Sequence, residues 1–139
     1  MSAIWQSDLR VKLRQKKSST RNRYEVRITT DNDDTSRSPH LIFALPRNSR
    51  VIDIKFSRGF EDTAYQIYGN HSQAQARKVP QIDGYVKVDF PNLLRQKVSV
   101  LITIKPVAGG WQRGDGASAY VFSLTPELNK KNNFAYLPL

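Results

Sequence analysis

Positively charged side chains recur at every second position near the start of the chain. Arg10, Lys12 and Arg14 alternate with leucine and valine, and Arg23 and Arg27 alternate with other residues in the next segment. A period of two predicts two β-strands, each with its charges on one face and its apolar residues on the other. Like charges side by side in a sheet are destabilising. If these strands pair, their shared charged face therefore favours the binding of an anion.

Three more cations, Lys16, Lys17 and Arg21, extend this set through the polar segment between the two strands, which is predicted to be a loop. The predicted partner is an anionic polymer or glycan, with nucleic acid and another surface protein as alternatives. A second interpretation needs no partner, because charged residues on an exposed strand also prevent edge-to-edge aggregation. The sequence leaves both interpretations open.

The net charge of the whole chain also indicates an anionic partner. Lys and Arg total 22 against 12 Asp and Glu, which gives a net charge of +10. A field of this sign attracts nucleic acid, acidic glycans, phosphate-rich envelope polymers and anionic lipid headgroups. The alternative is a soluble surface that is basic without a specific partner.

No group of residues in the chain is typical of catalysis. Cysteine is absent, which excludes disulfides, thiolate nucleophiles and thiolate metal sites. His40 and His71 lie far apart in the sequence, and neither has the spacing of a metal ligand. We find no phosphate-binding loop, dinucleotide fingerprint or nucleophile–base–acid set. We therefore predict a non-enzymatic protein that needs no cofactor and no metal.

One predicted loop contains a tripeptide that resembles a receptor-recognition motif. Arg113, Gly114 and Asp115 lie in a glycine-rich segment that is predicted to be a hairpin loop. This tripeptide resembles the motif by which fibronectin-type adhesion modules are recognised by integrins. Chance is the alternative, because glycine is common in hairpin loops.

An acidic cluster occupies another predicted loop. Asp31, Asp33 and Asp34 offer the oxygen ligands that Ca²⁺ prefers. Their spacing does not match the twelve-residue calcium loop, and Asx turns explain the cluster more simply. The sequence therefore predicts a turn here, with calcium binding as the alternative.

Short segments of alternating polarity, separated by turn residues, run through the whole chain. We predict no helix of any length, and an all-β antiparallel sandwich of seven to eight strands, with a closed barrel as the alternative. The candidate strands cover residues 8–14, 23–30, 41–45, 51–56, 84–90, 97–105, 117–125 and 133–137, with 63–68 as a less clearly patterned further candidate.

The segment 41–56 is predicted to form the central hairpin of this fold. Leu41, Phe43 and Leu45 share one face of its first strand. Ile52, Ile54 and Phe56 share one face of the second. The residues 46–49 between them have turn chemistry, since proline fixes φ and Asn and Ser bond to their own backbone. The pattern predicts two half-buried strands that pair with each other.

The chain is expected to form a single domain over residues 1–139, with 1–7 as an N-terminal extension. No apolar run approaches the roughly 20 residues that span a bilayer. The first residues have neither the charged nor the apolar region of a signal peptide. We therefore expect either a cytoplasmic protein or an excised piece of a longer exported one.

Four motifs, in this order, resemble one known family. They are an opening strand at 7–11, a second strand that ends in a Thr-Asp-Asn turn at 24–32, a Leu-Pro pair followed by a new strand at 45–52, and a closing strand, proline turn, paired asparagines and last strand at 120–135. Together they resemble the conserved-repeat module of bacterial and archaeal surface proteins. That module is an immunoglobulin-like β-sandwich of unknown function, similar to adhesion-related modules.

The resemblance implies a structural or adhesive role in a cell-envelope or secreted protein, and it implies no catalysis. The chain departs from the family in two ways. Its turn reads Pro126-Glu127 where the family has proline and aspartate, and its charge is strongly positive where the family is acidic or neutral. The second departure favours an alternative function, a small basic domain that binds nucleic acid or an acidic glycan.

Overall fold

In the computed structural model, the described part of the chain consists mainly of β-strands. The structure describes residues 9–17, 21–30, 38–46, 49–68, 84–91, 93, 97–106, 116–123 and 133–138. These residues include nine strands: β1 (Leu9–Lys17), β2 (Asn22–Thr30), β3 (His40–Ala44), β4 (Ser49–Phe56), β5 (Ala64–Tyr68), β6 (Tyr85–Asp89), β7 (Lys97–Pro106), β8 (Gly116–Phe122) and β9 (Phe134–Pro138).

The strands form two antiparallel sheets that pack face to face. One sheet has the strand order β1-β2-β7-β4, and the other has the order β5-β6-β3-β8-β9. The predicted all-β sandwich is confirmed, with one strand more than the larger number expected from the sequence. No helix in the described part of the chain is long and apolar enough to cross a membrane.

The core lies between the sheets and is built from alternate residues of each strand. In β2, Tyr24, Val26 and Ile28 are buried, as the period of two predicted. The ring of Tyr24 meets that of Phe43 across the sheets, with centroids 5.3 Å apart. Leu93, in the connection after β6, is also fully buried. The inward faces of both sheets thus make one apolar layer, and the alternate faces are left to solvent.

The predicted hairpin at 41–56 is wrong. β3 pairs with β6 and β8, whereas β4 pairs with β7 in the other sheet. Leu45 is buried, and its N–H donates to the carbonyl of Gly84, the residue before β6. The chain therefore stays beside the five-stranded sheet as far as Leu45. Apolar alternation determines which face of a strand is buried, but it does not determine which strand lies beside it. Here the chain crosses from one sheet to the other.

The inward position predicted for Ile52 is also wrong. The register of β4 against β7 shifts between Val51 and Asp53, so Ile52 is the extra residue of a β-bulge. Val51, Ile54 and Phe56 pack against the core, while Ile52 is exposed. The bulge resets the alternation by one residue, which the sequence pattern alone does not reveal.

Candidate functional site: a basic sheet face

β1 and β2 pair as predicted, and their charged residues share the outer face of the four-stranded sheet. β1 continues to Lys17 instead of ending at Arg14, and β2 begins at Asn22, so four residues of the predicted loop belong to strands. Residues directly opposite each other in an antiparallel pair point to the same side. The outward pairs are Arg10 with Thr29, Lys12 with Arg27, Arg14 with Glu25, and Lys16 with Arg23.

The structure brings together six of the eight cations singled out from the sequence. The other two have different positions. Arg21 is exposed directly before β2. Lys17 pairs with Asn22, a register position that alternates with that of Lys16. The role of all eight in binding stays a prediction.

Sequence reasoning missed the cations that β7 and β4 add to the same face. Lys97 lies opposite Thr29, and Lys105 lies opposite Arg50 of β4. Their outward positions follow from the alternation in β7, but their proximity to β1 and β2 depends on the strand order. We name the complete set the basic face: Arg10, Lys12, Arg14, Lys16, Arg23, Arg27, Arg50, Lys55, Lys97 and Lys105.

Two carboxylates offset only part of this charge among the described residues of the face. Glu25 Oε1 lies 3.1 Å from Arg27 Nη2. Asp53 Oδ2 lies 3.9 Å from Lys55 Nζ, and both of these side chains are largely exposed. Exposed pairs of this kind contribute about 0–1 kcal/mol. The face therefore keeps a large positive excess.

Like charges face each other directly at three places on the basic face. Lys12 is opposite Arg27 and Lys16 is opposite Arg23 in the β1–β2 pair. Arg50 is opposite Lys105 in the β4–β7 pair. Direct opposition of like charges destabilises a sheet, so these three pairs lower the stability of the folded chain.

Edge protection accounts for only part of this arrangement. β1 and β4 are the two edges of the sheet, and charges on these strands do prevent edge-to-edge pairing. β2 and β7 are central strands with partners on both sides, yet they carry Arg23, Arg27, Lys97 and Lys105. Charge on a central strand protects no edge. These four cations favour anion binding over edge protection.

A shallow depression marks one end of the basic face. Its volume is about 210 Å³, and it is lined by Arg10, Lys12, Arg27, Thr29 and Lys97. These residues form two adjacent rows across β1, β2 and β7. Four cations and one hydroxyl group are suited to hydrogen bonds with a single carboxylate, sulfate or phosphate group. The depression is therefore a candidate anion subsite on this face.

The two loop motifs lie outside the described residues. These are the Arg113, Gly114 and Asp115 tripeptide and the Asp31, Asp33 and Asp34 cluster. Within the described residues, no group of three His, Cys, Asp or Glu side chains is placed to hold a metal ion.

Sequence comparisons identify no relatives of the chain. No protein-family model matches it. No curated protein matches it either. The resemblance to the conserved-repeat module of surface proteins therefore stays a prediction.

Solved structures of similar fold are found at low sequence identity. The CBM3 of Hungateiclostridium clariflavum matches with a TM-score of 0.55 at 6% identity, over 86% of this chain and 95% of that one. The Streptococcus suis adhesin Fhb bound to the disaccharide receptor Gb2 gives 0.52 at 14% identity, over 93% and 87%. The RrgA Jo.In complex gives 0.53 at 6% identity, over 94% and 75%. At these identities the likeness establishes the fold, which is a β-sandwich.

Proposed function

We propose that the chain is a non-enzymatic, adhesive binding module that holds an acidic glycan on its basic face. The observation that carries this proposal is the positive charge on the central strands β2 and β7, opposite further cations on the edge strands. An anionic ligand bound there neutralises the mutual repulsion of these cations. Ligand binding should therefore also stabilise the fold.

The spacing of the cations favours an extended polymer with repeated charges. Successive outward residues of β1, such as Lys12 and Arg14, are about 6.8 Å apart along the strand. Neighbouring strands add further rows at intervals of about 4.8 Å. A chain that carries a carboxylate or sulfate on each repeat contacts several of these cations together, while the depression holds one of its groups.

The chemistry of the face favours a glycan over nucleic acid. The face of a four-stranded sheet is too broad for the major groove of a duplex, which admits an α-helix or a two-stranded β-ribbon. Proteins that bind single strands combine cations with aromatic rings on which the bases stack. The uncharged outward residues that pair across β2 and β7 are Thr29, Ser99, Leu101 and Thr103, and none of them is aromatic.

The similar folds add general support. CBM3 is a type of carbohydrate-binding module, and the Fhb adhesin was solved with a bound disaccharide. The motif order of the chain also resembles that of a surface-protein module. A location in the cell envelope or outside the cell is part of the same proposal.

The test is binding to heparin, used as a probe for acidic glycans, at a series of salt concentrations. Lys12→Gln and Lys87→Gln each remove one lysine charge, from the basic face and from the other sheet respectively. We expect Lys12→Gln to weaken heparin binding several-fold and to reduce its salt dependence. Lys87→Gln should have little effect.

Two results would contradict this proposal. Equal weakening by both variants would mean that heparin responds to net charge and that the basic face is not a site. Stronger binding of single- or double-stranded DNA than of heparin at the same salt concentration would favour nucleic acid as the ligand.

A further inference from the structure

The outer face of the five-stranded sheet carries a second, chemically different surface. Four of its strands, β5, β6, β8 and β9, place aromatic rings on the solvent side. We name this set the aromatic face: Tyr68, Tyr85, Tyr120, Phe122, Phe134 and Tyr136.

The rings form two groups on either side of β3. Tyr68 and Tyr85 are stacked, with centroids 4.8 Å apart and an interplanar angle of 24°. On the other side, Tyr120 and Phe122 are stacked at 5.6 Å and 26°. Tyr120 lies opposite Phe134 on β9, and these two side chains are 46% and 55% exposed. Large aromatic side chains with this exposure are typical of a binding surface.

Polar groups lie beside Tyr68 and Tyr85, on the same two strands. Gln66 and Lys87 are opposite each other on β5 and β6. Asp89 of β6 lies opposite His40 of β3, with His40 Nδ1 2.5 Å from Asp89 Oδ1. β3 is the one strand between the aromatic groups, so β6 and β8 are about 10 Å apart, and its outward residues are His40, Ile42 and Ala44.

We infer that the aromatic face is a second binding site, for an uncharged glycan chain. A sugar ring presents a face of C–H bonds that packs flat on an aromatic ring, and a rim of hydroxyl groups that both donate and accept hydrogen bonds. Tyr120 and Phe134 would hold one ring of the chain, and Tyr68 would hold another. Lys87, Gln66 and Asp89 would bond to the hydroxyl groups of the part of the chain that lies over β5 and β6.

The charges on this face disfavour the other occupants. Lys87 is accompanied by Asp89, so the face lacks the positive excess that nucleic acid binding requires. A second protein molecule that covered both aromatic groups would have to desolvate these two charged side chains, and the buried part of an interface is depleted of charge. A neutral glycan keeps them hydrogen-bonded. This inference does not depend on the function proposed for the basic face.

The experiment measures depletion of the protein from solution by cellulose, chitin, xylan and starch in about 1 M NaCl, where the Debye length is about 3 Å and the basic face is screened. The wild-type protein should bind at least one of these polymers. The double variant Tyr120→Ala/Phe134→Ala should bind it at least about tenfold more weakly, as expected for the loss of stacking. Tyr120→Phe should retain binding, because the ring remains.

Two controls make the result specific to this face. Lys12→Gln on the basic face should leave binding at high salt unchanged, and circular dichroism should show that each variant is folded. Failure of the wild-type protein to bind any of the four polymers would overturn the inference. So would unchanged binding by the double variant, or a solution dimer that the same two substitutions dissociate, which would make the face a contact between copies.

Discussion

At the scale of single residues, Tyr24 has an unusual environment for a tyrosine. Its side chain is fully buried and its ring packs on Phe43. Its hydroxyl group has no hydrogen-bond partner within the described residues. Burial raises the pKa of Tyr24 well above the ordinary 10.0, and Tyr136 raises this pKa further. A buried, unpaired hydroxyl costs about 1–3 kcal/mol, so the hydroxyl group offsets part of the stability that the buried ring contributes.

We predict that Tyr24→Phe raises the free energy of unfolding by about 1 kcal/mol near pH 7. Above about pH 10 the unfolded chain ionises at this position while the folded chain does not, so the wild-type protein loses stability as the pH rises. The phenylalanine variant has no such loss, and its advantage should widen. Urea unfolding near pH 7 and pH 10.5 measures both effects. Lower stability of the variant near pH 7 would indicate that the hydroxyl has a partner outside the described residues.

At the scale of elements, the bulge in β4 decides which isoleucine belongs to the core. Ile52 is the extra residue and is exposed, whereas Ile54 lies opposite Ile102 and packs against the core. A strand without the bulge would place both on the same face. The bulge also brings Val51 to the core side, so the strand keeps its apolar contacts on both sides of the irregularity.

Matched substitutions test this assignment. Ile52→Thr should change the free energy of unfolding by less than about 0.5 kcal/mol, because an exposed side chain loses little buried area. Ile54→Thr should cost about 1–3 kcal/mol, because it removes apolar contacts and places a hydroxyl group at the core. Chemical denaturation of the two variants measures the difference. Equal costs would mean that β4 has no bulge in solution.

Local patterns predicted the strands well and their neighbours poorly. The alternation of Tyr24, Val26 and Ile28 is a property of nine consecutive residues, and it correctly gave β2 and its buried face. The proximity of Lys97 to Arg10 depends on the strand order β1-β2-β7, which arises from packing between distant segments. For the same reason, six cations of the basic face were identified from the sequence and four were not.

At the scale of the whole molecule, the two outer faces of the sandwich differ in charge. The basic face holds most of the positive excess, with like charges in direct opposition. The aromatic face includes Lys87 and Asp89 together. A sandwich core is about 10 Å thick, so ligands bound to the two faces, as we propose, would be separated by the protein and would not compete for space.

We predict that Lys12→Gln raises the free energy of unfolding at low ionic strength by a few tenths of a kcal/mol, up to about 1 kcal/mol, because it removes the repulsion with Arg27. The gain should disappear in about 1 M NaCl, where the repulsion is screened. Lys87→Gln is the control and should give no gain. Thermal unfolding at low and high salt measures the effect. The same stability change in both variants at low salt would contradict it.

The position of β7 has a consequence for how the chain folds. β7 pairs with β2 on one side and with β4 on the other, and it joins residues as distant as Asn22 and Ile104. During synthesis, the first, second and fourth strands therefore emerge before the strand that completes their sheet. Closure of such long loops is slow, with folding times of about milliseconds to seconds for proteins of this type. Until residues 97–106 arrive, the inner apolar surface of this sheet lacks one of its two central strands, and the growing chain is most prone to aggregation in that interval.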